Sequence, residues 1–201
     1  MATIDETIYV ALPDMLCLAS DEIAFKELHE ALLKEAAGAT SIIILGGYMS
    51  PGYVLRLCAK VPRRGNGGRK GFTLRIGIGL DPSRPLAQQW NDLRDLKSKL
   101  RADGFHSAEV KAVLIGRVHF HTKIFGFIRS TQPSWYIGSA NPSGANRHEM
   151  MVRVGRKHSA IAAYAEAALA KAIDVSGEAP ADASSTLRAF FRSGFLGPVF
   201  S

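Results

Sequence analysis

The chain has 201 residues with a formal charge of +7, and 47% of them are hydrophobic and 21% charged. This composition is ordinary for a globular protein and excludes collagen-like and disordered classes, while the length favours a single domain. No apolar run approaches the roughly 18 residues that cross a bilayer, and the first residues do not resemble a secretory signal. Cys17 and Cys58 cannot form a disulfide framework and lack metal-ligand spacing. We therefore expect a cytoplasmic protein without a membrane segment.

The charge is distributed unevenly along the chain. Residues 1–50 contain eight acidic and two basic residues, whereas residues 110–158 contain eight basic residues and a single acid, Glu149. A cationic second half favours a polyanionic partner such as DNA, an anionic membrane or a phosphorylated ligand. A solvated surface with a basic bias explains the same counts equally well.

The first half of the chain alternates between helix and strand patterns. An amphipathic stretch predicts a helix over residues 21–37, and the continuously apolar residues 41–45 predict a buried strand that ends at Gly46 and Gly47. Pro51 begins a short helix. Residues 62–71 form a basic, glycine-rich loop. This loop could contact phosphates, although a surface connection is the simpler interpretation.

The rest of the chain continues with strands, then closes with a helix. We predict strands over 72–80, 109–116, 118–128, 134–137 and 149–154, and helices over 86–100 and 159–173. Residues 176–185 read as a linker, and the apolar tail over 187–200 either packs on the body or leads into a longer enzyme. Together these elements predict an α/β domain, a mixed β-sheet flanked by helices, over residues 1–201.

Polar residues are concentrated between residues 119 and 149. His119, His121 and Lys123 alternate, so in a strand they would project from one face. A lysine and histidines on a strand with apolar neighbours are costly for a core. Two further pieces follow, Gly138-Ser139-Ala140-Asn141 and then Glu149.

These pieces resemble the signature of the phospholipase D superfamily, which runs His-x-Lys, Gly-Ser-x-Asn and a downstream Glu. Residues 41–48 and 187–196 also look like its restriction-endonuclease-like nuclease branch. The motif covers about 30 residues, and the weaker resemblance covers most of the chain. The usual motif continues with Asp five residues after the Lys, where this chain has Ile128. Asn146 lies three residues before Glu149 rather than two, so we assign it no catalytic role.

The resemblance implies a metal-independent phosphodiesterase with a phospholipase D-like fold. His121 would attack phosphorus and form a covalent phosphohistidine, and Glu149 would hold its imidazole. Lys123, Ser139 and Asn141 would bind the phosphate oxygens. We expect no metal and no small-molecule cofactor. A second histidine must protonate the leaving oxygen. Because this chain has one copy of the motif, we expect a homodimer in which two copies of His121 meet.

Plain structural interpretations stand beside these roles. His121 and Lys123 could be structural, and Ser139 and Asn141 could shape a turn. We interpret His119 as a neighbour of the site, and His29, His106, His148 and His158 as surface or loop residues. Cys17, Cys58, Trp90 and Trp135 are expected to be buried.

Three functions remain open on the sequence. The leading hypothesis is an endonuclease that acts on DNA, because the motif gives the reaction and the basic half gives the partner. The alternatives are an enzyme of the same superfamily that hydrolyses phospholipids, and a non-catalytic module for nucleic-acid binding or dimerisation.

Overall fold

A computed structural model describes residues 7–11, 26–63, 68–69, 71–81, 83–114, 120–130, 132–143, 149–154 and 159–179. Within these ranges the strands are β1 (Thr7–Ala11), β2 (Lys26–Glu27), β3 (Ser41–Gly46), β4 (Thr73–Gly79), β5 (Ala108–Val113), β6 (Ile124–Ile128), β7 (Ser134–Gly138), β8 (Glu149–Val154) and β9 (Ile173–Asp174). The helices are α1 (Leu28–Gly38), α2 (Pro51–Ala59), α3 (Leu86–Ala102) and α4 (Ser159–Lys171).

The described strands form one mixed sheet in the order β2-β1-β8-β7-β6-β3-β4-β5-β9. Strands β3, β4 and β5 are parallel to one another, as are β1 and β2. Strands β6, β7 and β8 add to this parallel core as antiparallel neighbours. The α/β class and the mixed, helix-flanked sheet predicted from the sequence are therefore confirmed.

Helices cover both faces of the sheet. Helices α1, α2 and α3 contribute to one apolar cluster with every second residue of the central strands, whereas α4 contributes Ala165, Ala168 and Leu169 to the other. Strand β3 supplies both clusters, because Ile42 and Ile44 point to one side and Ile43 and Leu45 to the other. This double burial explains why its sequence is apolar throughout rather than alternating.

Most predicted elements of the first half are present, but the first helix is shorter than predicted. It begins at Leu28, because Lys26 and Glu27 pair with β1 as a short parallel strand. The Glu27 carboxylate then accepts a hydrogen bond of 2.5 Å from the backbone N–H of Glu30. This contact caps the helix and fixes its start. Residues 21–25 lie outside the described part of the chain.

The predicted strand over residues 118–128 was wrong over residues 120–123, and residues 118 and 119 lie outside the described part of the chain. Strand β6 begins only at Ile124, and residues 120–123 have no regular structure. The reason is the neighbouring strand: the β3–β6 ladder ends where Leu45 pairs with Ile124, since β3 itself ends at Gly46. Residues 120–123 therefore have no partner strand and form a separate segment that packs on the edge of the sheet.

The remaining boundaries differ by a few residues. The described part of β5 ends at Val113, β7 extends to Gly138, and α3 continues to Ala102. Helix α4 ends at Lys171 because Ile173 and Asp174 pair with β5. The predicted tail over residues 187–200 and most of the predicted linker lie outside the described residues.

Candidate active site

The pairing of the strands brings the polar motif residues to one edge of the sheet. Leu45, at the end of β3, pairs with Ile124 at the start of β6. Ile124 also pairs with Ile137 near the end of β7, and Gly138 pairs with Met151 near the start of β8. The segments that follow β3 and β7 and those that precede β6 and β8 therefore meet at the same edge.

His121 and Lys123 lie together in the segment that leads into β6. The Lys123 ammonium lies 2.6 Å from Nδ1 and 2.8 Å from Nε2 of His121, and it donates to the His121 carbonyl oxygen at 2.7 Å. His119, which the sequence placed in the same row, lies outside the described residues.

Lys123 is almost completely buried, at 6% exposure, whereas His121 is exposed. Burial lowers the pKa of Lys123 below its ordinary value, and the charge of Glu149 acts in the opposite direction. The charge of Glu149 therefore favours the charged form of Lys123. An ammonium that is shielded from water attracts an anionic group more strongly than one on an open surface.

Asn141 fixes the loop after β3 to the site. It is buried, and its Oδ1 accepts hydrogen bonds from the backbone N–H groups of Gly47 at 3.1 Å and Tyr48 at 3.3 Å. Both of these bonds use the amide oxygen, so neither of them occupies a donor of the Asn141 amide NH₂. The next residue, Pro142, accepts a hydrogen bond of 3.0 Å from the N–H of Ser50, just before α2.

Ser139 directly follows β7, and Glu149 begins β8. The Ser139 hydroxyl accepts a hydrogen bond of 3.0 Å from the N–H of Met150, and the Ser139 N–H donates to the Met150 carbonyl at 2.9 Å. Ser139 thus extends the β7–β8 pairing by one residue beyond Gly138. Glu149 is the first residue of β8, and its backbone position pairs with Ala11.

Two glycines allow the His121 segment to pack tightly on the sheet. A Cβ atom on Gly47 would lie 3.0 Å from Cδ2 of His121, and one on Gly79 would lie 2.3 Å from the carbonyl oxygen of Phe120. The second contact is with backbone, so it could not be relieved by a change of rotamer. The absence of side chains at the ends of β3 and β4 therefore determines where His121 lies.

One contribution to this edge was missed in the sequence. His29, expected to be an ordinary surface or loop residue, is half-buried in the first turn of α1, and its Nδ1 lies 3.1 Å from the hydroxyl of Tyr53. Burial lowers the pKa of His29, while the charges of Glu27 and Glu149 act to raise it. The start of α1 lies across β1 from Glu149, because Val10 pairs with Glu27 and Ala11 pairs with Glu149. Only the pairing of β2 with β1 reveals this proximity, since nothing in the local sequence of His29 indicates it.

Arg69 of the basic loop does not face outward as a phosphate ligand would. Arg69 is buried, donates to the carbonyl oxygen of Val61 at 3.1 Å and pairs with Asp103 at 3.0 Å. Its guanidinium also lies 4.3 Å from the centre of the Phe105 ring. Arg69 therefore fastens the loop to the end of α3. Residues 64–67 and 70 of the loop lie outside the described ranges.

Part of the basic charge in the second half is neutralised inside the fold. Arg129 and Arg153 pair with the buried Glu35 at 2.6 Å and 3.3 Å, and Tyr136 donates to the same carboxylate at 3.2 Å. These groups line a cavity of about 500 Å³ between α1 and the sheet. Glu35 belongs to the acidic first half, so the charge imbalance in the sequence is partly a pairing between the two halves.

The remaining expectations concern buried and surface residues. Trp90, Trp135 and Cys58 are buried as predicted, and burial raises the pKa of the Cys58 thiol to about 12. His106 is exposed, as expected. The structure does not describe Cys17, Asn146, His148 or His158.

Among the residues that the structure describes, no three His, Cys, Asp or Glu side chains come together as a metal site. No helix in the same part of the chain is long and apolar enough to cross a membrane.

Comparison with known proteins identifies the family of the chain. Residues 26–176 match the family described as the NgoFVII restriction endonuclease N-terminal PLD domain, where PLD denotes phospholipase D. The chain belongs to this family. The match includes β2 to β9 and every motif residue from His121 to Glu149, so the resemblance seen in the sequence is confirmed. No protein in a search of curated sequences matches the chain.

A solved structure shows the same fold. The PLD domain is similar to Nuc, a phospholipase D family member from Salmonella typhimurium, with a TM-score of 0.51 and 12% sequence identity. The alignment covers 85% of this chain and 98% of Nuc. At this identity the likeness establishes the architecture and leaves the chemistry to the residues of the site.

Proposed function

We propose that this PLD domain is a metal-independent nuclease that cleaves DNA through a covalent phosphohistidine on His121. The observation that carries the proposal is the position of the Lys123 ammonium, which is buried and within 3 Å of both ring nitrogens of His121. A nucleophile approaching a phosphodiester must overcome the charge of the phosphate, and a desolvated ammonium beside it neutralises that charge. Family membership supports the same reaction class.

The reaction proceeds in two displacements. A nitrogen of neutral His121 attacks phosphorus, a P–N bond forms, and the P–O bond to one nucleoside breaks as its oxygen takes a proton from a second histidine. Water then attacks phosphorus, the P–N bond breaks, and the second histidine recovers a proton from that water. The donors of Lys123 and the amide NH₂ of Asn141 bind the nonbridging oxygens, and Glu149 stabilises the imidazolium-like intermediate.

The second histidine is supplied, in this proposal, by His121 of another copy of the chain. An apolar surface beside the site supports such a dimer. Ile137 and Val152 pair across β7 and β8, and Met150, two residues along β8, lies on the same side of the sheet. Met150 is 50% exposed, and Ile137 and Val152 are only partly buried. A two-fold axis near this surface brings two copies of the adjacent edge together.

Plasmid cleavage in excess chelator tests the chemistry, with wild type compared with His121→Ala. We expect nicking by wild type and none by the variant. Wild-type protein should also form a covalent adduct with labelled DNA that survives denaturation of the protein. Cleavage that disappears with chelator, or that persists in His121→Ala, contradicts the proposal. Hydrolysis of phospholipid vesicles without an effect on DNA would instead assign the site to lipids.

Sedimentation analysis tests the dimer separately. Wild type should sediment as a dimer, and Met150→Lys should shift it towards monomer and lower its activity in parallel. Met150→Leu, which keeps the apolar character, is the matched control and should remain dimeric. A fully active monomer at assay concentration would rule out sharing of the site.

A further inference from the structure

The segment that carries the catalytic histidine is held by tertiary contacts instead of by a sheet ladder. Residues 120–123 have no partner strand, because β3 ends before it can pair with them. Phe120 is buried at 5% exposure in the apolar cluster to which α4 contributes, and Ile124 enters the sheet as the first residue of β6. His121 and Thr122 lie between these two anchors, so the position of the nucleophile depends on the contacts that its neighbours make.

Helix α4 provides one of these contacts through Tyr164. The Tyr164 hydroxyl lies 2.8 Å from Oγ1 of Thr122, within hydrogen-bond distance. Tyr164 is 45% exposed and belongs to neither of the two apolar clusters, so its ring adds little to the core. The contact that the structure shows for this side chain is therefore the one at its tip, which joins α4 to the motif.

The helix that carries Tyr164 is itself firmly attached to the sheet. Ala165 and Leu169 are buried in the apolar cluster on this face. In addition, Arg75 on β4 donates to both carboxylate oxygens of Glu166, at 2.5 Å and 2.6 Å. Because these contacts lie within five residues of Tyr164, they fix the backbone from which its ring extends. The Tyr164 hydroxyl thus offers a fixed point for the segment.

A second support comes from the loop after β3. Gly47 approaches the His121 ring so closely that a Cβ atom there would lie 3.0 Å from Cδ2. The half-buried Tyr48 follows, and the backbone N–H groups of both residues donate to Oδ1 of Asn141. These contacts use backbone atoms of the loop. Tyr164 acts instead through one side-chain hydroxyl, which a substitution can remove while the ring and the backbone stay the same.

We propose that Tyr164 is a positioning residue that holds His121 in line with the scissile phosphate through Thr122. The inference rests on the proposed function, in which His121 is the nucleophile. A misplacement of about 1 Å at a reacting group costs about 100-fold in rate. Loss of one hydrogen bond between neutral groups shifts a position less completely, by about ten-fold in population. Because Tyr164 touches no substrate in this proposal, it affects the chemical step and not the affinity for DNA.

Removal of either hydroxyl tests the proposal. Tyr164→Phe keeps the ring and Thr122→Val keeps the shape of the side chain, and each should lower kcat about ten-fold without changing KM. Thr122→Ser retains a hydroxyl and should retain most of the activity. Because both removals break the same bond, the double variant should be no slower than either single variant. Additive losses, or a fall in activity that follows a fall in melting temperature, would show a merely structural role.

Thr40→Val is the matched control at the other end of β6. The Thr40 hydroxyl donates to the carbonyl oxygen of Ile128, the last residue of β6, at 3.0 Å. This variant also removes an exposed threonine hydrogen bond next to β6, but at the end away from His121, and its kcat should equal that of wild type. A similar fall of kcat in Thr40→Val, or an unchanged kcat in Tyr164→Phe, overturns the inference.

Nuclear magnetic resonance separates this inference from the proposed nuclease activity. The chain has six histidines, so their imidazole signals can be followed in histidine-labelled protein, and His121→Ala identifies the signal of His121. This signal should shift in Tyr164→Phe and Thr122→Val and stay in place in Thr40→Val. If it shifts but wild type cleaves no DNA, the positioning stands and the nuclease proposal fails. If wild type cleaves DNA and the signal does not shift, the nuclease proposal stands and Tyr164 does not position His121.

Discussion

The close contact between Gly79 and the His121 segment gives a quantitative prediction. An alanine Cβ at position 79 would lie 2.3 Å from the Phe120 carbonyl oxygen, whereas ordinary contacts begin at 3.4 Å. Relieving the overlap in Gly79→Ala moves residues 120–121 by about 1 Å, and a misplacement of that size at a reacting group costs about 100-fold in rate. We therefore expect kcat to fall by about that factor.

Gly77 provides a matched control on the same strand and the same side of the sheet. A Cβ there would lie 2.8 Å from Leu45 Cδ2 and 3.0 Å from Leu169 Cδ2, both ends of flexible side chains rather than backbone. Overpacking of this kind costs about 1–3 kcal/mol of stability. Gly77→Ala should therefore lower the melting temperature but keep kcat near that of wild type.

The assay measures initial rates of DNA cleavage well below the melting temperature of each variant, so that only folded protein is compared. Thermal unfolding by circular dichroism gives the stabilities. Equal kcat values for Gly77→Ala and Gly79→Ala would refute the reasoning, because they would show that the glycine at the end of β4 does not determine the position of His121.

Three further predictions concern charges and hydrogen bonds. Asn141→Asp keeps an acceptor for the two backbone N–H groups but replaces the amide donors with a negative charge, so cleavage should fall by about 100-fold or more with little change in melting temperature. Burial lowers the pKa of Lys123, and the charge of Glu149 raises it. Glu149→Gln should therefore move the alkaline limb of the pH–rate profile to lower pH, because Lys123 then loses its proton at a lower pH. An unchanged limb would show that the two groups are not coupled. Burial acts to raise the pKa of Asp174, but hydrogen bonds from Lys97 and Ser176 lower it to about 2. Ionised Asp174 therefore stabilises the fold fully above the ordinary aspartate pKa of 3.8, and this stabilisation is lost as the pH falls towards 2. In a pH series of thermal melts, the melting temperature of Lys97→Met should fall less over this range than that of wild type.

The sequence by itself determined the class of fold and the linear motif. Periodicity located α3 because its buried residues, Trp90 to Leu100, repeat at helical spacing on one face. The apolar run of β3 predicted a strand buried on both sides. His121, Lys123, Asn141 and Glu149 were found because their order and spacing are local properties, which a sequence displays directly.

The tertiary structure decided how these residues meet. Whether residues 120–123 form a strand depends on a partner about 75 positions earlier in the chain, and β3 ends before it can pair with them. The ion pairs of Glu35 with Arg129 and Arg153 likewise join residues from opposite halves, so part of the charge that suggested a DNA surface is internal.

The same limit applies to the residues that surround the motif. His29 and Tyr164 lie on helices whose local sequences predict only an amphipathic and an alanine-rich segment. Their closeness to Glu149 and Thr122 follows from strand order and from the packing of α4, which are set by contacts between residues 42 or more positions apart. Such contacts depend on how whole elements pack to bury apolar surface, and a pattern within one segment cannot specify them.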